Sequence, residues 1–143
     1  MDISIRQISE ADAEAVADLS DQLGYHLSVA QILANIRAVA ASKDNEAFAA
    51  VHAGQVVGWI GVSKAIELES TPFCEIRGLV VDSAFRRRGV GKLLVAKAKQ
   101  WSHEQGTSRL RVRCNTKRKE THLFYRHLNF REVKEQKIFD TDT

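Results

Sequence analysis

The chain is poor in the residues that staple or interrupt a fold: its 143 residues include one proline, one methionine and two cysteines. Cys74 and Cys114 lie far apart with no ligand-like spacing, which excludes a disulfide-rich scaffold and a thiolate metal centre and suggests a reduced, cytoplasmic chain. The histidines at 26, 52, 103, 122 and 127 form no pair four residues apart, so no metal is expected. No run of about 18 apolar residues is present, which excludes a membrane-spanning helix. The opening MDISIRQIS has neither the basic nor the apolar part of a signal peptide. Repeats, linkers and low-complexity stretches are also missing, and this length fits one domain over residues 1–143.

Against this plain background the charge is unevenly distributed. Residues 1–85 hold 5 Lys/Arg and 12 Asp/Glu, whereas residues 86–119 hold 12 Lys/Arg and a single acid, Glu104. Residues 120–143 return to near balance, with 4 Lys/Arg and 5 Asp/Glu. A basic block this one-sided, opening at a glycine turn, points to an anion site.

Periodicity supplies the elements. Ile3, Ile5 and Ile8 mark a first strand, and Ser9 with Asp12 resembles a capping box opening a helix with Val16, Leu19 and Leu23 inward. Gly24 stops that helix, and Ser28 caps a second carrying Ile32, Leu33, Ile36 and Val39. Two strand-like runs flank His52-Ala53-Gly54-Gln55, a hairpin by its turn residues. The lone Pro72 precedes a strand at 73–81. A basic helix at 89–105 follows, with Val90, Leu93, Leu94, Ala98 and Trp101 inward, and then a strand at 108–114 that alternates Leu110, Val112 and Cys114 with Arg109, Arg111 and Arg113. A helix at 120–128 and two short strands around Val133 and Ile138 complete the order β-α-α-β-β-β-α-β-α-β-β. The 73–114 unit is a parallel crossover and the rest of the sheet antiparallel, an α/β (α+β) fold.

The turn between the strand at 73–81 and the basic helix reads Arg86-Arg87-Arg88-Gly89-Val90-Gly91-Lys92. It is no P-loop, because Arg86 stands five before Gly91 and Leu93 replaces the required Ser/Thr. A dinucleotide fingerprint fails too, since Leu94 occupies the third glycine position and no acid follows about 20 residues on. What is left, Arg86-x-x-Gly89-x-Gly91 between a parallel strand and an amphipathic helix, resembles the pyrophosphate-binding motif of the GNAT superfamily of acyl-CoA-dependent N-acyltransferases. Side-chain-free positions at 89 and 91 admit close approach of backbone N–H groups to a diphosphate, and the helix dipole with Arg86, Arg87, Arg88 and Lys92 favours its charge. Element order and chain length extend the likeness over nearly the whole chain.

The resemblance implies a GNAT fold and acetyl-CoA as cosubstrate, with Arg86 to Lys92 holding the pyrophosphate. It also implies that the strand at 73–81 binds the pantetheine arm along its main chain at Leu79, Val80 and Val81. Gly78 interrupts that strand, marking either a bulge or a packing accommodation. Glu75 occupies the position where some members keep a general base, and an ion pair with a nearby arginine is the other reading. His122-Leu123-Phe124-Tyr125 followed by Leu128-Asn129-Phe130 resembles the family's C-terminal signature, in which the aligned tyrosine protonates the coenzyme sulfur. Tyr125 takes that role by resemblance; otherwise it is a core tyrosine. Asn115 matches an asparagine that contacts the cofactor. Asn129 stands for the usual glycine and is the best substitute at a left-handed helix end. Tyr25 and His26 lie in the helix–helix turn that lines the acceptor site in many members.

The implied activity is transfer of acetyl from acetyl-CoA to a primary amine of a small molecule by direct attack, and a homodimer is one assembly the resemblance allows. A peptide or protein amine is the alternative acceptor. A nucleic-acid module built on RRR, RLRVR and TKRK, or an acyl-CoA binder without turnover, is the reading from another class. No helix-turn-helix, RRM or OB pattern supports a nucleic-acid partner, so none is expected, nor is a membrane partner.

Overall fold

The computed structural model describes residues 2–143. Its elements run β1 (Ser4–Gln7), α1 (Ala13–Asp21), α2 (Val29–Ala41), β2 (Asn45–His52), β3 (Gln55–Ala65), β4 (Phe73–Val81), α3 (Val90–Glu104), β5 (Leu110–Val112) and α4 (Lys119–His127). Short 3-10 turns at Glu10–Asp12 and Ser83–Phe85 precede α1 and α3. The chain divides into two compact units, one ending at Arg113 and the other Cys114–Thr143.

The first unit contains a five-stranded sheet in the order β1-β2-β3-β4-β5. The first three pairings are antiparallel and β4–β5 is parallel. Ala53 and Gly54 both take positive φ, 50° and 78°, the conformation of a two-residue hairpin turn whose twist matches the strands it joins. The crossover from β4 through α3 to β5 was expected from the sequence and is present.

Alternation along β3 sends neighbouring residues to opposite faces of the sheet. Gly58 faces α3: a β-carbon there would meet Leu94 and Val90 within 3.3 Å. Trp59 faces the other way and packs on a cluster of Ala13, Val16, Ala17, Ile32 and Ile36 from α1 and α2. Removing Val16, Ile32 and Ile36 from water contributes about 1.5–3 kcal/mol each, which holds the helices on the sheet. Asp12 tethers the start of α1. Its Oδ2 accepts from the Ser9 N–H at 2.8 Å, and its two oxygens accept from Arg6 at 2.7 and 2.9 Å.

β4 contains a bulge. Gly61 pairs with Gly78 and Val62 with Ile76, so Arg77 is an extra residue without a partner on β3. The bulge also brings about a close packing. A β-carbon on Gly78 would lie 2.7 Å from the Trp59 ring, so both sequence readings of this glycine hold at once.

Two expectations are corrected. No strand forms around Val133 or Ile138: residues 128–143 carry no helix or strand, so the final strand pair is absent from the element order. Leu93 is exposed on α3, and Val95 takes the inward position, because the buried stripe runs Val90, Leu94, Ala98 and Trp101 at helical spacing.

Candidate active site

The turn after β4 is built for exposed main chain. Asp82 caps the short 3-10 turn by accepting from the Ala84 N–H at 3.0 Å. The chain then carries Arg87 at φ 63° and Gly89 at φ 82° into α3. A left-handed residue at the N-cap leaves no side chain to accept from the first turn, and none caps it. Open space surrounds Gly89 where a β-carbon would project. Leu93 donates to the Gly89 carbonyl at 3.1 Å, so the N–H groups before it stand at the positive end of the helix dipole. Arg86, Arg87, Arg88 and Lys92 are exposed around them, with Arg88 over the Phe85 ring at 5.4 Å. These features fit a diphosphate.

The second feature is an edge of β4. Parallel pairing with β5 covers only Cys74, Glu75 and Ile76. Beyond it, Asp82 donates to the Val57 carbonyl at 2.8 Å, which sets the phase of the antiparallel β3–β4 ladder. In that phase Gly78 and Val80 face β3 through their peptide groups, while those of Leu79 and Val81 point to the opposite edge. Val80 is itself buried and its main chain is engaged with Trp59, so of the three residues only Leu79 and Val81 turn their peptide groups to that edge.

Glu75 is the middle residue of the short parallel ladder, opposite Arg111. Its side chain is buried, with 4% of the residue exposed, and both oxygens are paired. Oε1 accepts from Arg113 Nε at 2.9 Å, and Oε2 accepts from Nη1 of Arg77, the bulge residue. The ion-pair reading of Glu75 is therefore a structural fact, with two arginines where one was expected.

The second unit places Tyr125 on α4 with its ring edge-on to Phe124 at 5.0 Å and Phe130 at 5.2 Å. Burial, and after it the neighbouring Cys114 thiol, pushes the Tyr125 phenol well above its usual range, while Arg118 opposes the shift. Burial also raises Cys114. Asn115 shapes the loop before α4: its Oδ1 accepts from the Lys117 N–H and its main-chain oxygen from Arg118, and it bonds His122 Nε2 at 2.9 Å. Asn129 takes φ 68°, the left-handed conformation that its replacement of glycine requires.

The profile of the acetyltransferase (GNAT) family matches residues 11–130. The chain belongs to the GNAT acetyltransferase family. It is an acetyl-CoA-dependent N-acetyltransferase. An uncharacterised N-acetyltransferase of Chlorobaculum tepidum is 28% identical over 142 residues, covering 94% of this chain and 79% of the relative. Among solved structures, the aminoglycoside 6′-N-acetyltransferase AAC(6′)-Iy in complex with a bisubstrate coenzyme A analogue superposes with a TM-score of 0.89 at 21% identity, over the full length of both chains. The apo aminoglycoside antibiotic 6′-N-acetyltransferase of Acinetobacter haemolyticus gives 0.85 at 23% identity, covering 98% of this chain and 99% of that one.

In this GNAT acetyltransferase, Tyr25 and His26 occupy an exposed loop between α1 and α2, with His26 Nδ1 at 2.9 Å from Asp21 Oδ1. No hydrogen bond or ring contact among the described residues joins either to Glu75. No helix of the described residues is long and apolar enough to cross a membrane. No group of three or more His, Cys, Asp or Glu among them could hold a metal. Sequence reasoning missed Trp59, Arg77 and Arg113 as parts of this region. An arginine directly before the bulge glycine was the one available signal.

Proposed function

We propose that the chain acetylates a primary amine of a small molecule, by direct attack of the amine on acetyl-CoA within a ternary complex. The observation that carries this reading is the β4–α3 junction, where an uncapped helix start set by Gly89 follows a strand edge that directs Leu79 and Val81 outward. The N–H groups at residues 90–92, with Arg86, Arg87, Arg88 and Lys92, would hold the pyrophosphate, and Leu79 and Val81 the pantetheine amides. Asn115 has its Oδ1 engaged and would offer its amide N–H groups. Acetyl-CoA supplies an activated acyl group as its thioester.

Two side chains handle protons. An alkylammonium titrates near ~10.4, so the amine must lose a proton before it attacks. Glu75 would accept it, directly or through water, with Arg77 and Arg113 fixing the carboxylate's orientation. Tyr125 keeps its proton across the working pH range and would donate a hydrogen bond to the departing sulfur. A phenol raised above its usual range stabilises a thiolate, whose own thiol titrates near ~8.5, more readily by hydrogen bonding than by full transfer. A small-molecule acceptor is supported by the aminoglycoside enzymes among the structural neighbours. The family match at 11–130 runs through both compact units, which supports one catalytic domain over residues 1–143.

The test is free-thiol release from acetyl-CoA against a panel of amines, including aminoglycosides, diamines and peptides with free N-termini. Turnover of small amines supports the reading. Turnover of peptides alone reassigns the acceptor, and acetyl-CoA binding without any turnover removes the enzymatic role. A second reading is favoured by the occupied oxygens of Glu75: the carboxylate then acts only as an ion-pair hub, and the amine loses its proton to solvent.

A further inference from the structure

The first end of β4 carries charge that the proposed chemistry leaves unused. Phe73 and Glu75, two residues apart, lie on one face of the strand. Arg111 stands opposite Glu75 in the parallel register, so alternation puts Arg109, Arg111 and Arg113 on that same face. The contacts agree. Arg113 bonds Glu75, and the guanidinium carbons of Arg109 and Arg111 lie 4.6 and 4.5 Å from the centre of the Phe73 ring. With Arg77, which pairs with Glu75 from the bulge, four arginines gather about one carboxylate. Glu75 is the only acid in β4 or between residues 109 and 113.

Arg77 and Arg113 are engaged with Glu75. Arg109 and Arg111 differ: among the described residues neither meets a carboxylate within ion-pair distance, and neither side chain donates a hydrogen bond. They are nonetheless held in place. Phe73 is 1% exposed, and a guanidinium stacked on a ring gives up none of its five N–H donors. Two cations fixed to one ring repel each other, and an anion bound beside them reverses that cost.

Position along β4 narrows the choice of anion. Phe73 and Val81 are the ends of this strand, about 25 Å apart at the usual strand rise. A pyrophosphate held at the β4–α3 turn is therefore remote from Arg109 and Arg111. Glu75 stands between, roughly 7 Å from Phe73 on the same scale. An acceptor whose nitrogen reaches Glu75 thus brings atoms a few bonds away beside these two arginines.

We propose that the acceptor is a small amine bearing a second, anionic group, a carboxylate or a phosphoryl group, which Arg109 and Arg111 bind. This rests on the small-molecule reading given above, with Glu75 facing the amine. The guanidinium forks match such oxyanions, turn the nitrogen toward Glu75, and disfavour amines that carry a second positive charge.

The experiment is free-thiol release from acetyl-CoA with acceptors of matched length. β-Alanine is compared with β-alaninamide, 2-aminoethyl phosphate with ethanolamine, and 1,3-diaminopropane serves as the dicationic control. The anionic member should be favoured in kcat/KM by about tenfold or more in at least one pair, which also tells carboxylate from phosphoryl. In Arg109→Gln/Arg111→Gln the preference should fall to near parity, through KM rather than kcat, and Arg109→Lys/Arg111→Lys should keep part of it. The paired acceptors test the wild type directly, so the proposal stays refutable if the glutamine variant does not fold. No preference in either pair, or a preference for the diamine, overturns it and leaves small-molecule acetylation standing. If no amine is turned over, that reading fails, and calorimetry with 2-aminoethyl phosphate and β-alanine in the presence of coenzyme A decides for the arginines alone. Binding that the glutamine variant loses upholds the anion site; no binding, or binding indifferent to the substitution, overturns it.

Discussion

The indole of Trp59 lies across the α-carbon of Gly78, with ring atoms 2.7 and 2.9 Å from the place a β-carbon would take. The same indole packs on the α1–α2 cluster, and its Nε1 is buried without a hydrogen-bond partner. One side chain thus joins the bulge of β4 to the helical layer. Gly78→Ala is expected to destabilise the fold by about 1–3 kcal/mol, since the ring must move within a packed interior. Trp59→Phe keeps a ring there and removes the unpaired donor. In that background the cost of Gly78→Ala should shrink. A double-mutant cycle by urea unfolding measures the coupling, and strict additivity would show that the two positions do not interact.

Gly89 holds φ 82° at the head of α3. A β-branched residue there is strained by about 1–2 kcal/mol and sets a side chain before the N–H groups. Gly89→Val should raise the acetyl-CoA dissociation constant about tenfold or more by calorimetry. Gly89→Asn accepts the conformation, so it should recover thermal stability and still bind weakly. An unchanged constant in both variants would mean the pyrophosphate is held elsewhere.

Tyr125→Phe should lower kcat by about 10²-fold with little change in acetyl-CoA binding. Since burial raises the phenol, the unfolded chain loses this proton first as pH climbs past ~10, and the native state loses stability there. The wild type should therefore show a falling melting temperature above about pH 10 that is shallower in Tyr125→Phe. Identical alkaline melting curves would be inconsistent with a buried phenol at 125.

Glu75→Gln separates base from ion-pair hub. If Glu75 accepts the amine proton, the rate loss is greatest at acid pH and fades where the amine is already neutral. A pH–rate profile parallel to wild type, with a lower melting temperature, would leave the carboxylate only its hold on Arg77 and Arg113.

Asp12 is held below the ordinary carboxylate range, first by its hydrogen bonds from Arg6. A depressed carboxyl stabilises the fold above the unfolded value, near ~3.9, and that contribution disappears as pH falls through the native one. Asp12→Asn should lower the melting temperature at pH 7 and flatten its decline below about pH 4. An acid limb as steep as wild type's would shift the responsibility to other carboxylates.

Much of this was legible because it is local. The Ala53-Gly54 turn, the limits of β4 and the Arg86-x-x-Gly89-x-Gly91 junction each depend on conformations that few residue types adopt. Glu75 marked a special position, but its partners could not be read. Arg77 meets it from the unpaired bulge position two residues on, and Arg113 comes from 38 positions away in sequence. Trp59 was invisible for the same reason, since its contact with Gly78 passes between strands. The strands expected at Val133 and Ile138 failed because residue pattern specifies a surface suited to pairing and says nothing about where its partner lies.

The extra residue at 77 also sets a parity. Glu75 stands opposite Ser63 and Gly78 opposite Gly61, so two residues three apart look out from one side of the sheet. Removing Arg77 itself would let Gly78 follow Ile76 in an unbroken ladder, so Leu79 and Val81 would keep their outward amides while Glu75 lost one of its two cations.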